Sequence, residues 1–398
     1  MAANRSLASS VRLAALIACV AAGFSTIVGT GSAGAAPPLS VSTVATGLSI
    51  PWDLAVAPDG TILTGERTGR FVAVRPSGAA TTVRADQSRI FATKEAGLMG
   101  LALDPRFAQT RRVYTCQAET TGGPAPAIPP DVANLPLPWP NTGQVINVVA
   151  WRVAGDWSRM NREGTVLTGI PVNSSGRHAG CALTAAPNGT LWVGTGDNAI
   201  PGNPQDRNSL GGKVLHINAN GTPAAGNPIA GSPIYTLGHR NVQGVALRGG
   251  RVYVSEQGTD RDDELNLLRA GANYGYRPDR APFIYDESVP MTDPQRVPGA
   301  VGALWTSGYP TIATTGIATL PAGWGEYSNG LVISALKGKR LVFVALNGSG
   351  DRVLRTSTAL PDRYGRLRGL AVDRDGSLLV TTSNGSGQDR ILRVRPTR

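Results

Sequence analysis

A histidine and an aspartate stand where they could carry out acid–base chemistry. His178, one of three histidines in the chain, lies just before a short predicted strand that begins at Gly180. Asp197 follows the next predicted strand, within Gly194-Thr-Gly-Asp-Asn. A carboxylate within reach of an imidazole fixes its tautomer and raises its basicity, as a general base requires. The pair indicates a catalytic base, and a purely structural histidine is the alternative.

Cationic side chains are predicted at the same end of other strands. Arg240 with Asn241, and Arg366 with Arg368, occupy the position in their own strands that His178 occupies in its strand. Lys337 follows a strand in the copy between them. Cations that converge without partners repel one another, so their meeting implies an anion with several carboxylates or phosphates. The alternative is that these are ordinary surface residues of an arginine-rich chain.

A strand–turn–strand pattern recurs six times and must position these residues. Each copy has a short apolar strand, a turn that is often Asp-Gly or Asn-Gly, and a second strand. Such dipeptides are typical of type I′ hairpins, because both central residues need φ > 0. The first strands are Asp53-Leu-Ala-Val, Gly100-Leu-Ala-Leu, Gly180-Cys-Ala-Leu, Gly244-Val-Ala-Leu, Gly316-Ile-Ala-Thr and Gly369-Leu-Ala-Val.

Four-stranded blades with loops of unequal length explain the spacing of the six copies. No long segment with a 3.6-residue period interrupts them, which disfavours an α/β barrel. We therefore predict an all-β fold, a six-bladed β-propeller over residues 37–398. Residues 39–45 and 390–395 both have strand character, and their pairing in one blade would close the ring and leave no open edge. The proline-rich stretch 122–142 is predicted to be a long loop within the second blade.

The N-terminus has the features of an export signal. A positive region with Arg5 and Arg12 is followed by an apolar segment and by the small residues Ala33-Gly34-Ala35. We predict that residues 1–36 are a signal peptide and that the protein is secreted or resides in the cell envelope or periplasm. The polar breaks in the apolar segment argue against its being a membrane anchor. No transmembrane segment is expected in the mature chain. Cys19 leaves open a lipoprotein anchor.

The cysteine content and the charge indicate the cellular compartment of the protein and the class of its partners. Cys116 and Cys181 would remain after processing, and in an exported protein they predict one disulfide, with two buried thiols as the alternative. The net charge is +11, and almost all of the positive charge comes from arginine. No run of Lys and Arg and no nucleic-acid-binding motif is present, so nucleic acid is not expected as a partner. A multiply anionic cofactor would suit this field.

The chain resembles the soluble quinoprotein glucose/sorbosone (aldose sugar) dehydrogenases over nearly all of its predicted mature length. An ordered set of motifs carries the resemblance, and the set is more specific than any one member. The motifs are Glu95-Ala-Gly-Leu-Met-Gly-Leu-Ala, Gln205-Asp206 with Gly212-Lys-Val-Leu, Thr236-Leu-Gly-His-Arg-Asn-Val-Gln-Gly, Ser255-Glu-Gln-Gly, Asp262-Asp-Glu-Leu-Asn, Ala272-Asn-Tyr-Gly-Tyr, Leu336-Lys337 and Arg366-Leu-Arg368.

The resemblance implies pyrroloquinoline quinone (PQQ) and calcium as cofactors, an aldose sugar as substrate and an unidentified external electron acceptor. His178, oriented by Asp197, would take the proton of the anomeric hydroxyl while hydride passes to the quinone. The main-chain carbonyls of Gly258 and Thr259 would bind calcium, and Glu95 would lie near the substrate. The residues implied to hold PQQ are Arg240, Asn241, Gln257, Lys337, Arg366 and Arg368.

The chain departs from the family pattern at three places. Gly180-Cys-Ala-Leu replaces Gly-Gly-Arg-Leu after the histidine, and Gly258-Thr259 replaces Gly-Pro. The segment that begins at Tyr309 replaces the usual Ala-Pro-Ser ending, which borders the substrate space. These changes leave open a propeller that binds a ligand without turnover. A metal-dependent lactonase-type propeller would need several carboxylates around one ion, and the sequence shows no clear cluster of that kind.

Overall fold

The computed structural model describes residues 32–121, 143–281 and 284–397. The strands β1 (Ser32–Ala33) and β2 (Leu39–Leu48) come first, and the rest of the described chain forms six sheets of consecutive strands. This is the six-bladed β-propeller that the repeat predicts. Most of the predicted signal peptide, including Cys19, and the proline-rich stretch 122–142 lie outside the described residues.

Blades 1 to 3 each contain four antiparallel strands in chain order. Blade 1 consists of β3 (Pro51–Val56), β4 (Ile62–Glu66), β5 (Phe71–Val74) and β6 (Ala80–Val83). Blade 2 consists of β7 (Leu98–Leu103), the short helix α1 (Phe107–Thr110), β8 (Arg112–Thr120), β9 (Gln144–Val153) and β10 (Met160–Ile170). Blade 3 consists of β11 (Gly180–Ala185), β12 (Thr190–Thr195), β13 (Lys213–Asn218) and β14 (Ile234–Leu237).

Blades 4 to 6 continue the same order. Blade 4 consists of β15 (Val242–Arg248), β16 (Arg251–Glu256), β17 (Glu264–Leu267) and β18 (Trp305–Thr306). Blade 5 consists of β19 (Thr314–Thr319), a 3₁₀ helix (Gly325–Tyr327), β20 (Leu331–Ala335), β21 (Leu341–Leu346) and β22 (Val353–Ala359), to which β1 adds in parallel. Blade 6 consists of β23 (Leu367–Val372), β24 (Leu378–Thr382) and β25 (Asp389–Pro396).

The N-terminal strand β2 supplies the outer strand of blade 6 and closes the ring. It pairs antiparallel with β25, with Leu39 opposite Pro396 and Leu48 opposite Asp389. The carboxylate of Asp389 also accepts the backbone N–H of Ile50, at 2.8 Å. The predicted pairing of the two chain ends is therefore confirmed, because β2 and β25 belong to the one sheet of blade 6.

The first strand of every blade lines the central channel. Glycine at the third position of two of these strands allows close approach: a Cβ at Gly316 would lie 2.5 Å from the carbonyl oxygen of Arg368, and one at Gly369 would lie 3.0 Å from that of Trp52. Because neighbouring inner strands place equivalent residues side by side, they run in the same direction. The residues that precede them therefore gather at one end of the channel.

The hairpin turns differ from the predicted type I′ geometry at some copies. In the turn after β3, Gly60 donates its N–H to Ala57 and Ala57 donates to Thr61, both at 2.8 Å. Gly60 has φ +83°, and the residues before it in the turn do not have positive φ. This is the three-residue loop of a type I turn followed by a left-handed glycine. The turn at Gly249-Gly250 has both residues at positive φ, as type I′ requires.

A disulfide between Cys116 and Cys181 joins blades 2 and 3, as predicted. Cys116 lies in β8 and Cys181 is the second residue of β11, and their Cα atoms are 5.5 Å apart. Both side chains are fully buried in the largest apolar cluster of the described chain. Among the described residues, no helix is both long and apolar enough to span a membrane.

Candidate active site

His178 and Asp197 meet at the mouth of the channel. His178 precedes β11 and Asp197 follows β12, so the hairpin of blade 3 brings them together. Nδ1 of His178 lies 3.0 Å from Oδ1 of Asp197, and both side chains are buried. The N–H of Asp197 donates to the carbonyl of Arg240 at 2.7 Å, which attaches this pair to blade 4.

Arg240 contacts the other ring nitrogen of His178. Its Nη2 lies 3.0 Å from Nε2 of His178 and 2.8 Å from Oε2 of Glu287, and its Nη1 donates to the carbonyl of Gln257 at 3.0 Å. Glu287 also pairs with Arg177. A guanidinium only donates hydrogen bonds, so Nε2 of His178 is the acceptor and Nδ1 carries the proton. The imidazole is therefore neutral, and the lone pair of Nε2 accepts from Arg240.

Two tyrosines lie behind the histidine–aspartate pair. The hydroxyl of Tyr285 donates to Oδ2 of Asp197 at 2.5 Å and lies 3.3 Å from Nδ1 of His178. The hydroxyl of Tyr276 lies 3.0 Å from that of Tyr285. Burial, reinforced by the charge of Asp197, raises the pKa of Tyr285 well above its ordinary value. Tyr285 is therefore a neutral hydroxyl that donates to the carboxylate.

Tyr285 and Glu287 were not predicted from the sequence. Both belong to the long segment between β17 and β18 of blade 4, which is outside the repeat pattern. The signal that could have identified them is the length of this insertion, because a long loop on a propeller can reach over a neighbouring blade. Tyr276 lies within the family motif that begins at Ala272, but a role near His178 was not assigned to it.

A hydrogen-bonded chain crosses the channel below the histidine. Glu95 precedes blade 2 and accepts from Asn241 of blade 4 at 3.0 Å and from Gln243 at 3.3 Å. Gln243 in turn accepts from Arg368 of blade 6 at 3.4 Å. The guanidinium of Arg368 lies 3.5 Å from the ring centroid of Trp52. Because blades 2, 4 and 6 alternate around the ring, these contacts lie across the axis and form the floor of the site.

Among the cations that the resemblance assigns to PQQ, three have no carboxylate partner within the described chain. Arg368 is buried and forms no ion pair, and burial lowers its pKa to about 9. Lys337 and Arg366 are exposed on the neighbouring rim of blades 5 and 6. The N–H of Leu336 donates to Ala313 at the start of β19, which places Lys337 at the same end as the other two. These groups can receive an anionic ligand.

The turn after β16 presents free carbonyl groups. The carbonyl oxygens of Gly258 and Thr259 accept no hydrogen bond from any described residue. Asp263 holds the turn, because its carboxylate accepts the N–H of Gly258 at 3.1 Å and that of Ile312 at 2.6 Å. Gln257 donates its side-chain amide to Thr314 in blade 5. In the described ranges no three His, Cys, Asp or Glu side chains form a metal-binding cluster.

Residues 48–393 match the family described as glucose/sorbosone dehydrogenase. The chain belongs to this family. The aldose sugar dehydrogenase of Escherichia coli K12 is 27% identical over 370 residues, which cover 88% of this chain and 91% of that protein. Quinoprotein glucose dehydrogenase B of Acinetobacter calcoaceticus is 30% identical over 255 residues, 58% of this chain and 50% of that protein.

Solved structures of glucose/sorbosone dehydrogenase relatives have the same architecture. The PQQ-bound aldose sugar dehydrogenase of Streptomyces coelicolor superposes with a TM-score of 0.73 at 30% identity. The match covers 90% of this chain and 99% of that structure. The propeller described above is thus shared along almost the whole described chain, including every blade that contributes to the site.

The two residues assigned to the substrate by the family resemblance lie in different parts of the site. Glu95 belongs to the floor, where it contacts Asn241 rather than His178. Tyr309 lies in the loop between β18 and β19 and is 79% exposed. Its loop is held to the turn after β16, since Thr311 donates to the carbonyl of Asp260 at 2.9 Å. In the described chain the structure shows no contact between Tyr309 and His178.

The channel of this glucose/sorbosone dehydrogenase-family propeller continues beneath the floor. A cavity of about 470 Å³ follows the axis between the inner strands. Gln243 and Arg368 line it at the end near His178. The floor therefore lies between the rest of the channel and the end that holds His178, Lys337 and Arg366.

Proposed function

We propose that this protein oxidises an aldose sugar at its anomeric carbon to a lactone, with PQQ and calcium as cofactors and an external electron acceptor. The observation that carries the proposal is the set of cations without acidic partners, Lys337, Arg366 and Arg368, at the end of the channel where the neutral His178 lies. The names of the relatives agree with this chemistry, because one is a quinoprotein glucose dehydrogenase and another is an aldose sugar dehydrogenase bound to PQQ.

The three unpaired cations, Lys337, Arg366 and Arg368, fit the charge of PQQ, which has three carboxylates. Arg368 is buried without an ion pair, and burial lowers its pKa. An anion bound beside it would offset the cost of burying its charge. Arg240 contributes a further unsatisfied group, since its Nε is buried and finds no partner among the described residues. Asn241 and Gln257 lie beside Arg240 and would complete the polar contacts. We propose that the quinone is held by Arg240, Asn241, Gln257, Lys337, Arg366 and Arg368.

The turn at Gly258 and Thr259 fits calcium. Calcium prefers oxygen ligands and accepts main-chain carbonyls readily. The two carbonyls lack donors within the described chain, and Asp263 holds the turn without using them. Thr259 stands where proline is usual, and it keeps the carbonyl. We propose that these two oxygens supply the protein ligands of the ion.

PQQ, when bound, supplies the acceptor for the hydride that leaves the anomeric carbon. Nε2 of His178 is the atom that accepts the proton of the anomeric hydroxyl, because it is the unprotonated nitrogen and faces the site. Asp197 then stabilises the imidazolium through Nδ1, as it already holds the neutral ring. Arg240, 3.0 Å from Nε2, provides positive charge where the substrate oxygen becomes negative. The floor residues limit how deeply a sugar can enter.

The experiment that tests the proposal separates cofactor binding from turnover. Metal-free protein is titrated with PQQ in the presence and absence of calcium, and the absorption of the quinone is followed. Aldoses and a redox dye are then added. We expect calcium-dependent quinone binding followed by dye reduction. Tight binding without dye reduction with any aldose would favour the non-catalytic ligand-binding propeller instead.

A matched pair of variants tests the calcium site in the same assay. Asp263→Asn removes the carboxylate that holds Gly258 in place, whereas Asp262→Asn changes the neighbouring residue, which pairs with Arg261. We expect Asp263→Asn to raise the calcium concentration needed for half-maximal quinone binding by about tenfold, as loss of a supporting contact to ligands commonly does. Equal behaviour of the two variants would contradict the assignment.

We also propose that the protein is exported. The disulfide between Cys116 and Cys181 supports this, because such bonds persist in oxidising compartments. The signal peptide over residues 1–36 remains a prediction. Mass analysis of the protein purified from the culture fluid or envelope of its host would test it, since cleavage near Ala35 would leave a mature chain beginning close to Ala36.

A further inference from the structure

A chain of hydroxyl groups reaches the catalytic pair from the side opposite the substrate. The hydroxyl of Tyr276 lies 3.0 Å from that of Tyr285, which donates to Oδ2 of Asp197 at 2.5 Å. Asp197 uses its other oxygen for Nδ1 of His178 and for the N–H of Ala199, at 3.0 and 2.8 Å. Nε2 of His178 faces away from the two tyrosine hydroxyls. The tyrosines therefore contact neither the proposed position of the sugar oxygen nor that of the cofactor.

A donor to Asp197 weakens the attraction of the carboxylate for the imidazolium. Each hydrogen bond that Asp197 accepts spreads its negative charge, and less of that charge is available to stabilise a protonated ring. Tyr285 is a strong contributor because the contact is short and partly buried, and because it reaches a fully buried carboxylate. Burial also raises the pKa of Tyr285, which keeps its hydroxyl a donor throughout the pH range in which histidine titrates.

The other charged groups that face this pair come from several loops and from β13, and a substitution at Tyr285 leaves their side chains chemically unaltered. Arg240 contacts Nε2, Glu287 pairs with Arg240 and Arg177, and Lys213, the first residue of β13, acts on Asp197 through its charge. Their influence on His178 is thus present with or without the Tyr285 hydroxyl. The effect of Tyr285 can therefore be measured against a constant background.

We infer that Tyr285 is a positioning residue that, through Asp197, lowers the proton affinity of His178 and so extends the activity of the base to lower pH. The assignment of His178 as base rests on the proposed function. The effect on its proton affinity does not, because it follows from the hydrogen bonds alone. Experiment can therefore contradict the role of His178 as base without contradicting the effect of Tyr285, and the reverse.

The direct test is a histidine titration by NMR, which needs no turnover. The chain has three histidines, so the imidazole signals of His178, His216 and His239 can be resolved, and His178→Gln assigns the first. In Tyr285→Phe we expect the pKa of His178 to rise by up to about one unit, because one hydrogen bond to a charged group is worth at least this much and part of it reaches the ring through Asp197. Tyr276→Phe, one step further away, should give a smaller rise in the same direction.

The matched control is Tyr253→Phe, which removes another buried hydroxyl, the one that donates to Gly350 at 2.7 Å in a different part of the ring. This variant should leave the titration of His178 unchanged. An unchanged titration in Tyr285→Phe, with the protein folded, would overturn the inference. The pH profile of kcat/KM gives the second measurement: its acidic limb should move upward by the same amount in Tyr285→Phe. Absence of dehydrogenase activity in the unaltered protein would instead count against the proposed function, and the NMR result would stand.

Discussion

Nη2 of Arg240 lies 3.0 Å from Nε2 of His178, although the two residues belong to neighbouring blades. This contact defines the protonation state of the histidine, since only an unprotonated nitrogen can accept from a guanidinium. It also places a positive charge beside the atom that is proposed to receive the substrate proton. A sugar hydroxyl that enters between them would exchange the contact with arginine for a hydrogen bond to the base, while Arg240 remains near enough to stabilise the oxygen.

Replacing His178 by glutamine should separate turnover from cofactor binding. We expect kcat to fall by roughly 10²- to 10⁴-fold, the usual contribution of a general base. PQQ affinity should change little, because the unpaired cations are left in place. The measurements are dye reduction and quinone titration. His216→Gln is the control, since His216 stacks on Trp192 away from the site. Equal loss of binding and turnover in His178→Gln would contradict the assigned role.

Lys337 and Lys339 form a matched pair that tests whether Lys337 binds PQQ. Lys337 has no carboxylate partner within the described chain, whereas Lys339 pairs with Asp362 at 3.0 Å. Lys337→Ala should raise the Kd for PQQ by about 10- to 100-fold, the range expected for one hydrogen bond between charged groups. Lys339→Ala should leave the Kd unchanged. If both variants bind the quinone as tightly as the unaltered protein, Lys337 does not hold it.

The disulfide should contribute measurably to stability. It closes a chain segment of 65 residues between blades 2 and 3, and a bridge of this kind stabilises the folded state by about 2–4 kcal/mol. The double variant Cys116→Ala/Cys181→Ala should lose a comparable free energy of unfolding in urea. A reductant without denaturant should have little effect on the unaltered protein, because both sulfur atoms are buried. An intact mass that shows two free thiols under non-reducing conditions would disprove the bond.

The buried lysine of blade 3 predicts a dependence of stability on pH. Lys213 is fully buried, and burial lowers its pKa from 10.5 to about 7. Between these values the unfolded chain binds more protons than the folded one, so the free energy of unfolding rises with pH. The Tm of the unaltered protein should therefore gain a few degrees more between pH 7 and pH 10 than that of Lys213→Met. In Lys339→Met the gain should equal that of the unaltered protein, and an equal gain in Lys213→Met would refute the assignment.

The blades could be predicted because each is encoded locally. A copy such as Gly369-Leu-Ala-Val contains most of its own strand, and its glycine permits the close approach of the next inner strand at Trp52. The turn at Gly60 was predicted with the wrong type, because Asp-Gly dipeptides suit both a two-residue loop and a three-residue loop. The difference depends on the hydrogen bond from Ala57 to Thr61, which the dipeptide alone does not specify.

The site could be predicted only in part. His178, Arg240 and Arg366 stand at equivalent positions of different copies, so the repeat places them at one end of the channel. Tyr285 and Glu287 lie in a loop without the repeat, and nothing local indicates which blade they reach. Gln243 was within the motif but its contact with Arg368 spans the axis between blades 4 and 6.

The sequence by itself determined the number of blades and the closure of the ring by its two ends, because strand periodicity and counting are properties of the chain order. For the two cysteines it left open a disulfide or two buried thiols, and the structure shows the disulfide. Only the tertiary structure decided which side chains meet. Asp197 receives Tyr285 from 88 residues away, and Arg240 reaches His178 across 62 residues. Hydrogen bonds depend on distances of a few ångströms between blades, and those distances exist only after all six blades have packed around one axis.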